Sequence, residues 1–271
     1  MKVSYSHLIK HIKENPKLNH LSKKLFQLGH EHDVFENIFD IELTPNRGDC
    51  LSLRGLLRDL NLFYDTNYNN NKLYEKVIDN FDFLFLNNAH EACPKISFLK
   101  IEIESLPNCY KDELESYFVD LNLKKNNFFT DVSNYISYET GQPTHCYEST
   151  KIESGLKLVY LEENKQFRTL QDELIEINKG NLVFQNIKNE IVNLAGVMGG
   201  LNSACNKNTK CVIVECAYFN PEIIMGKAIR YALNSEAAHK FERHVDPNCH
   251  EHVLRRFLKV VDDHSNIKNV Q

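Results

Sequence analysis

The spacing of the apolar residues changes along this sequence, and that change restricts the possible folds more than any other feature. Apolar residues between positions 21 and 28 recur every three to four residues, the interval that places side chains on one face of a helix. Between positions 39 and 43 they alternate with acidic residues, which is the two-residue period of a half-buried strand. The sequence therefore predicts an α+β fold: a small helical N-terminal module with a strand, followed by a larger mixed α/β domain.

The boundary between these parts is predicted at a polar, asparagine-rich stretch, residues 67–71, which has nothing to bury. We assign residues 1–75 to the N-terminal module and residues 88–262 to the larger domain. The expected elements of the larger domain are strands at 96–103, 156–161, 173–177, 182–184 and 211–215, and helices around 114–121, 222–232 and 249–261.

Composition excludes several classes of protein. A net charge of −5 argues against a protein that coats nucleic acid through bulk attraction, and DNA is not an expected partner. No segment reaches the roughly 20 apolar residues that a membrane helix needs. The eight cysteines contain no C-x-x-C pair, so we expect small buried hydrophobic residues and a cytoplasmic protein.

The twelve histidines raise the question of a metal site. His7 and His11 are one helical turn apart, but no cysteine or carboxylate stands at a ligand spacing beside them. We expect these two on a solvated helix face, His30 and His32 on the surface near a turn, and no metal site.

Three clusters place chemically active residues close together in the sequence. The first joins residues 131–135, which include Ser133 and Asn134, to the Gly-Gln-Pro-Thr-His turn that ends at His145. Such a turn presents an imidazole from a fixed backbone, and an asparagine side chain both donates and accepts hydrogen bonds. A surface histidine, or one satisfied in the core, is the alternative for this cluster alone.

The second cluster, residues 195–200, holds three glycines in six residues, among them Gly199. Glycine lets backbone approach a ligand closely, although a tight turn explains the pattern equally well. The third cluster begins at Glu215, which ends an apolar run and is therefore expected at a strand end near the interior. A carboxylate there must be hydrogen-bonded or change its pKa, and satisfying a buried amide or arginine is its alternative role.

These clusters, in order, resemble landmarks of the bacterial phenylalanyl-tRNA synthetase beta subunit. The segment Thr44-Pro45-Asn46-Arg47-Gly48-Asp49-Cys50-Leu51 is similar to the "TPNR-x-DCL" motif of that subunit's first module. The 141–145 turn, the 195–200 glycines, residues 215–217 and residues 241–247 look like successive landmarks of its editing domain. One such match is weak evidence, but their shared order covers almost the whole chain.

The resemblance implies an activity and residue roles. The family's editing domain hydrolyses tyrosine wrongly attached to the phenylalanine tRNA, in a second pocket that demands the tyrosine hydroxyl. By resemblance, Glu215 recognises this hydroxyl, and His145 and Asn134 orient the terminal adenosine and the attacking water. Gly199 leaves room for the ligand. The substrate-binding set is completed by Ser133, Ser235 and Ala237.

The resemblance also implies partners and limits. The expected partners are the phenylalanine tRNA and the synthetase alpha subunit. No cofactor is expected in this chain, since ATP and Mg belong to the complete synthetase, and the chain is not expected to ligate alone. It is expected to lack the oligonucleotide-binding barrel that relatives insert between Gly29 and Phe39, and the C-terminal modules that follow.

Departures from the family pattern keep other functions open. Residues 235–238 read Ser-Glu-Ala-Ala where the family has a run like Thr-Asp-Ala-Ser, and Arg243 is followed by His244 rather than glycine. The main alternative is a non-catalytic assembly or tRNA-binding module of the synthetase. A free-standing nucleic-acid-binding protein is a further alternative, which the acidic charge balance opposes.

Overall fold

The α+β class is confirmed by a computed structural model that describes residues 1–68 and 72–271. The predicted linker at 67–71 lies mostly outside the described residues. In the described ranges, no helix combines the length and the apolar character needed to cross a bilayer.

The N-terminal module is a three-stranded antiparallel sheet, ordered β1-β3-β2, with helices packed on it. Its elements are β1 (Lys2–Ser4), α1 (Tyr5–Ile9), α2 (Leu18–Gln27), β2 (Glu31–Phe35), β3 (Ile38–Glu42) and α3 (Leu53–Leu60). The predicted alternation in β3 holds, because Phe39 and Ile41 are buried. Gly29 closes α2 with a φ of 82°, the left-handed conformation expected after a helix.

The rest of the chain forms two larger sheets and a small hairpin. A four-stranded antiparallel sheet has the order β14-β5-β13-β6, a five-stranded sheet the order β12-β11-β10-β7-β4, and β8 pairs with β9. The strands are β4 (Phe85–Asn87), β5 (Lys95–Ile103), β6 (Thr144–Glu148), β7 (Leu156–Tyr160), β8 (Lys165–Arg168), β9 (Leu174–Ile177), β10 (Leu182–Asn186), β11 (Ile191–Leu194), β12 (Met198–Gly199), β13 (Cys211–Tyr218) and β14 (Ile267–Val270). The helices are α4 (Asp112–Asp120), α5 (Phe128–Thr140), α6 (Ser149–Ile152), α7 (Pro221–Ile224), α8 (Lys227–Arg230), α9 (Glu236–Phe241) and α10 (His250–His264).

Strand β13 divides the hydrophobic core into two clusters. Successive side chains of a strand point to opposite faces of its sheet. Val212 and Val214 therefore pack in the cluster that contains α5, α10 and the N-terminal module, whereas Ile213 and Ala217 face the five-stranded sheet. Glu215 has the parity of Ile213 and Ala217, so the fold carries its carboxylate into the space between the two sheets.

The first of these clusters joins the two segments predicted as domains. It contains Phe39 and Leu56 from the first segment and Val132 and Phe257 from the second. A buried ion pair connects two helices of the second segment, since Arg256 on α10 donates from Nε to Glu139 on α5 at 2.8 Å. The assignment of residues 1–75 and 88–262 as separate domains stays a prediction.

The expected surface positions of three histidines are wrong. His7, His30 and His32 are at most 9% exposed. Each imidazole has a polar partner: His7 contacts the hydroxyl of Tyr138 at 2.9 Å, His30 contacts Asp59 at 3.1 Å, and His32 contacts the hydroxyl of Ser22 at 2.8 Å. Sequence spacing cannot predict the partners of His7 and His30, which are 131 and 29 residues away in the chain.

The single helix expected at 222–232 is also wrong. Two short helices, α7 and α8, replace it. Gly226 lies between them with a φ of 73°, so the backbone leaves the right-handed helical region at that point.

Candidate functional site

The predicted site residues His145, Gly199 and Glu215 meet at a small cavity between the two larger sheets. Glu215 on β13 lies directly opposite His145 on β6 in the antiparallel register. Gly199 arrives from the other sheet on β12, which pairs with β11. The cavity has a volume of about 60 Å³, and its lining also includes Ala237 and Phe241 from α9.

Glu215 is a buried carboxyl group without a cationic partner among the described residues. It is 4% exposed, and its Oε2 accepts a hydrogen bond from the Tyr147 hydroxyl at 2.6 Å. The same hydroxyl accepts a hydrogen bond from Asn193 Nδ2 at 3.0 Å. Burial raises the pKa of Glu215 to about 7, and the hydrogen bond from Tyr147 opposes this rise. The group can therefore change its charge near neutral pH.

Tyr147 and Asn193 were not predicted as members of the site. A signal for Tyr147 was present, because it stands two residues after His145 and so shares its strand face. No comparable signal exists for Asn193, which β11 brings in from the opposite sheet.

His145 is held as a neutral imidazole. Burial lowers its pKa to about 4, and its Nε2 is buried without a hydrogen-bond partner among the described residues. Its ring packs edge-on against the ring of Tyr147, with 4.4 Å between the ring centroids. A base of such low pKa is a weak proton acceptor at neutral pH, so this imidazole is better suited to orienting a ligand or water.

Position 199 requires glycine because the imidazole of His145 occupies the space that a side chain would need. A Cβ added to Gly199 would lie 2.3 Å from Cε1 of His145 and 2.9 Å from Nε2. Backbone and imidazole are therefore in contact, and no other residue type fits without displacing the ring. The predicted role of Gly199, to leave room for a ligand, stays a prediction.

The other predicted site residues line the cavity, support its walls or lie outside it. Ala237 lines the cavity. Ser133 and Ser235 support its walls: Ser133 Oγ donates to the carbonyl of Thr144 at 2.7 Å, and Ser235 Oγ donates to the carbonyl of Val197 at 2.6 Å. Asn134 is exposed on α5 and is outside the cavity lining.

The remaining landmark motifs meet at a second place. A cavity of about 460 Å³ is lined by Gly48, Gly141 and Asp246, which come from three separate motifs. At Gly48 an added Cβ would lie 1.9 Å from the carbonyl oxygen of Arg243. These motifs therefore join the N-terminal module to the larger part of the chain by close backbone contact.

One group of residues has the composition of a metal site. Potential ligand atoms of His30, Cys50 and Asp59 lie within 4.8 Å of one another. Arg47 occupies the space among them, since its Nη2 lies 2.7 Å from Cys50 Sγ and also binds Asp59. A guanidinium in this position makes the group an ion-pair network.

Comparison with known proteins assigns the family. A model of the B3/4 domain family matches residues 98–266, which is more than half of the chain. The chain belongs to the B3/4 domain family. The four-stranded and five-stranded sheets and the cavity between them all draw on the matched residues of this B3/4 segment.

The curated relatives confirm the predicted resemblance to the synthetase beta subunit. The phenylalanine–tRNA ligase beta subunit of Francisella tularensis subsp. tularensis is 30% identical over 234 residues, covering 84% of this chain and 29% of the relative. That of Idiomarina loihiensis is 31% identical over 229 residues, covering 83% of this chain and 28% of the relative. The chain thus spans under a third of the length of these relatives.

A solved structure was also matched. It is an N-terminal fragment of the phenylalanyl-tRNA synthetase beta subunit from Pyrococcus horikoshii, with a TM-score of 0.45 and 12% sequence identity. The match covers 90% of this chain and 73% of that one.

Proposed function

We propose that this chain works as part of a phenylalanine–tRNA ligase beta subunit and hydrolyses tyrosine that has been wrongly attached to the phenylalanine tRNA. The observation that carries the proposal is Glu215, a buried carboxyl group at the wall of a cavity, in register with His145. Burying a carboxyl group with no cation to pair with it is unfavourable, so a functional reason for keeping it is needed. Recognition of a substrate hydroxyl supplies that reason.

The selectivity follows from hydrogen bonding. A tyrosine hydroxyl in the cavity would donate to the Glu215 carboxylate. Phenylalanine would leave the carboxylate buried and without that partner, which costs the free energy of a lost hydrogen bond to a charged group. A pocket of this kind can reject the correct amino acid and accept the incorrect one.

The proposed ester hydrolysis requires only that the water and the ester be held in position. Water adds to the carbonyl carbon of the ester, the bond from that carbon to the ribose oxygen breaks, and free tyrosine and the tRNA hydroxyl are released. Neutral His145 would orient the attacking water or the ester, and holding reactants in place can supply much of the acceleration. Asn134, on the exposed side of α5, would contact the terminal adenosine from outside the cavity. No cofactor takes part in the proposed reaction.

The partners and place of action are part of the same proposal. The chain would bind the phenylalanine tRNA and the synthetase alpha subunit, and would act in the cytoplasm. Ligation itself, with ATP and Mg, would depend on the complete synthetase.

The test is release of tyrosine from Tyr-tRNA(Phe). The full chain should release it, and two variants should each lower the rate at least about tenfold. Glu215→Ala removes one charge-assisted hydrogen bond to the substrate, and His145→Ala removes the group that orients the water or the ester. Glu148→Gln is the matched control. Glu148 belongs to the same sheet but binds Asn206 and Thr209 at a distance from the cavity, so this variant should keep the wild-type rate.

The size of the cavity favours a second candidate function. A cavity of about 150 Å³ is known to hold a benzene ring, and the present one is smaller, at about 60 Å³. A non-catalytic assembly or tRNA-binding module of the synthetase needs no opening of this cavity. Co-purification with an alpha subunit, together with an intact Tyr-tRNA(Phe) ester after incubation, would favour this candidate.

A further inference from the structure

Tyr147 is a buried residue that neither the proposed recognition nor the proposed hydrolysis uses. Its side chain is fully buried, and its hydroxyl is the middle member of a polar chain that crosses from one sheet to the other. Asn193 on β11 donates to the hydroxyl at 3.0 Å, and the hydroxyl donates to Glu215 Oε2 at 2.6 Å.

The direction of this chain is fixed by the chemistry of its members. The amide nitrogen of Asn193 can only donate, so the Tyr147 oxygen must accept from it. The single hydroxyl proton of Tyr147 is then free for the carboxylate of Glu215. Each hydrogen bond therefore has a fixed donor and a fixed acceptor, and the bond from Tyr147 holds Glu215 Oε2 in place.

This arrangement leaves one carboxylate oxygen for a ligand. Oε2 is occupied by Tyr147, whereas no donor to Oε1 is present among the residues that the structure describes. Glu215 is also part of the cavity lining. A carboxylate with both oxygens free could turn and accept from several directions, and it would then discriminate poorly between ligands.

We propose that Tyr147 is a positioning residue that fixes Glu215 so that only Oε1 receives the hydroxyl of a phenol-bearing substrate, and that Asn193 fixes Tyr147 in turn. This inference rests on the proposed function, in which the cavity selects a tyrosyl ester. Tyr147 determines selectivity through Glu215 and does not itself contact the substrate.

The electrostatics of the cavity support this role. The titratable groups that face Glu215 are His145 and Tyr147 on β6 and Cys93, whereas the adjacent Cys146 and Cys216 lie on the opposite face of the sheet. His145 is neutral near pH 7, because burial lowers its pKa to about 4. The hydrogen bond from Tyr147 is therefore the interaction that keeps the pKa of Glu215 from rising further.

The variant Tyr147→Phe removes the hydroxyl and keeps the ring. We expect it to raise the pKa of Glu215 by about one to two pH units, the size of one hydrogen bond to a charged group. The ratio of the hydrolysis rates of Tyr-tRNA(Phe) and Phe-tRNA(Phe) should fall at least about tenfold, and the pH profile of tyrosyl-ester hydrolysis should move to higher pH.

Tyr138→Phe is the matched control. Tyr138 is also buried, and its hydroxyl binds a different residue, His7. This variant should leave both the rate ratio and the pH profile as in the wild type. If Tyr147→Phe behaves like Tyr138→Phe in both measurements, the hydroxyl only fills the core and the inference is wrong.

A direct titration separates this inference from the proposed function. The Glu215 carboxyl carbon can be followed by NMR against pH in the wild-type chain and in Tyr147→Phe. A higher midpoint in the variant supports positioning by Tyr147 even if the wild type leaves Tyr-tRNA(Phe) intact, and that outcome would count against the proposed function alone. An unchanged midpoint overturns the inference.

The wild-type chain offers a measurement that does not depend on the folding of a variant. The Tyr147 hydroxyl proton should exchange slowly, and its resonance should shift with the same midpoint as the Glu215 carboxyl. A hydroxyl proton that exchanges rapidly with water, or that is insensitive to this titration, contradicts the geometry on which the inference depends.

Discussion

Replacing Glu215 by glutamine should stabilise the protein as the pH rises, although it removes the proposed recognition group. Burial raises the pKa of Glu215 from 4.5 to about 7, so the folded state holds a proton that the unfolded state releases. The contribution of Glu215 to stability is therefore complete below pH 4.5 and is lost as the pH rises through about 7. Glutamine does not ionise, and its amide oxygen can still accept from Tyr147.

The expected magnitude follows from the displacement of the pKa. Each pKa unit corresponds to about 1.4 kcal/mol, so full ionisation of Glu215 in the folded state costs about 3 kcal/mol. Part of this loss of stability is already present at about pH 5, because the Glu215 carboxyl of the unfolded chain is then mostly ionised. Between about pH 5 and pH 8, the free energy of unfolding of Glu215→Gln should therefore gain about 2.5 kcal/mol relative to wild type.

Urea denaturation of both proteins at these two pH values measures the effect. Taking the difference between them removes the contribution of every other titrating group. Glu148→Gln, in the same sheet, should remain close to wild type at both pH values. If the difference between Glu215→Gln and wild type is the same at both pH values, Glu215 is not buried with a raised pKa, and the electrostatic argument for the site is refuted.

Two further predictions concern the close contact at Gly199 and the buried ion pair of Arg256. Gly199→Ala places a methyl group against His145, so we expect tyrosyl-ester hydrolysis to fall at least about tenfold, the effect of a displaced orienting group; a wild-type rate would show that the imidazole has no role. Glu139→Ala leaves the buried Arg256 with one remaining carboxylate partner, the more exposed Glu113, and should lower the free energy of unfolding by about 3 kcal/mol. Glu115, which forms an exposed ion pair with Lys125 at 2.6 Å, is the comparison. Glu115→Ala should cost under about 1 kcal/mol in the same urea experiment, and equal losses would contradict this account.

The position of Glu215 could be predicted from the sequence because it depends on local periodicity. The apolar run at 212–214 indicates a buried strand, and alternation along that strand directs Glu215 inward. The glycine cluster likewise indicates close backbone approach, and Gly199 makes such an approach to His145.

The network around Glu215 could not be predicted, because it depends on which strands become neighbours. Asn193 and Tyr147 are 46 residues apart and meet only when the two sheets pack together. Helix α5 is absent from the predicted helices for a different reason, which is its composition. Its first turns are rich in aromatic and β-branched residues, which have modest helix propensity, although Asn127 and Gly141 at its two ends are typical helix caps.

The central claim is that the cavity selects an aromatic ring by its hydroxyl through Glu215. The most direct measurement is the ratio of kcat/KM for Tyr-tRNA(Phe) to that for Phe-tRNA(Phe), determined for the wild-type chain and for Glu215→Gln. We predict that the wild type prefers the tyrosyl ester and that the variant loses at least about tenfold of this preference, since its uncharged amide makes a weaker hydrogen bond. An unchanged ratio would contradict the claim.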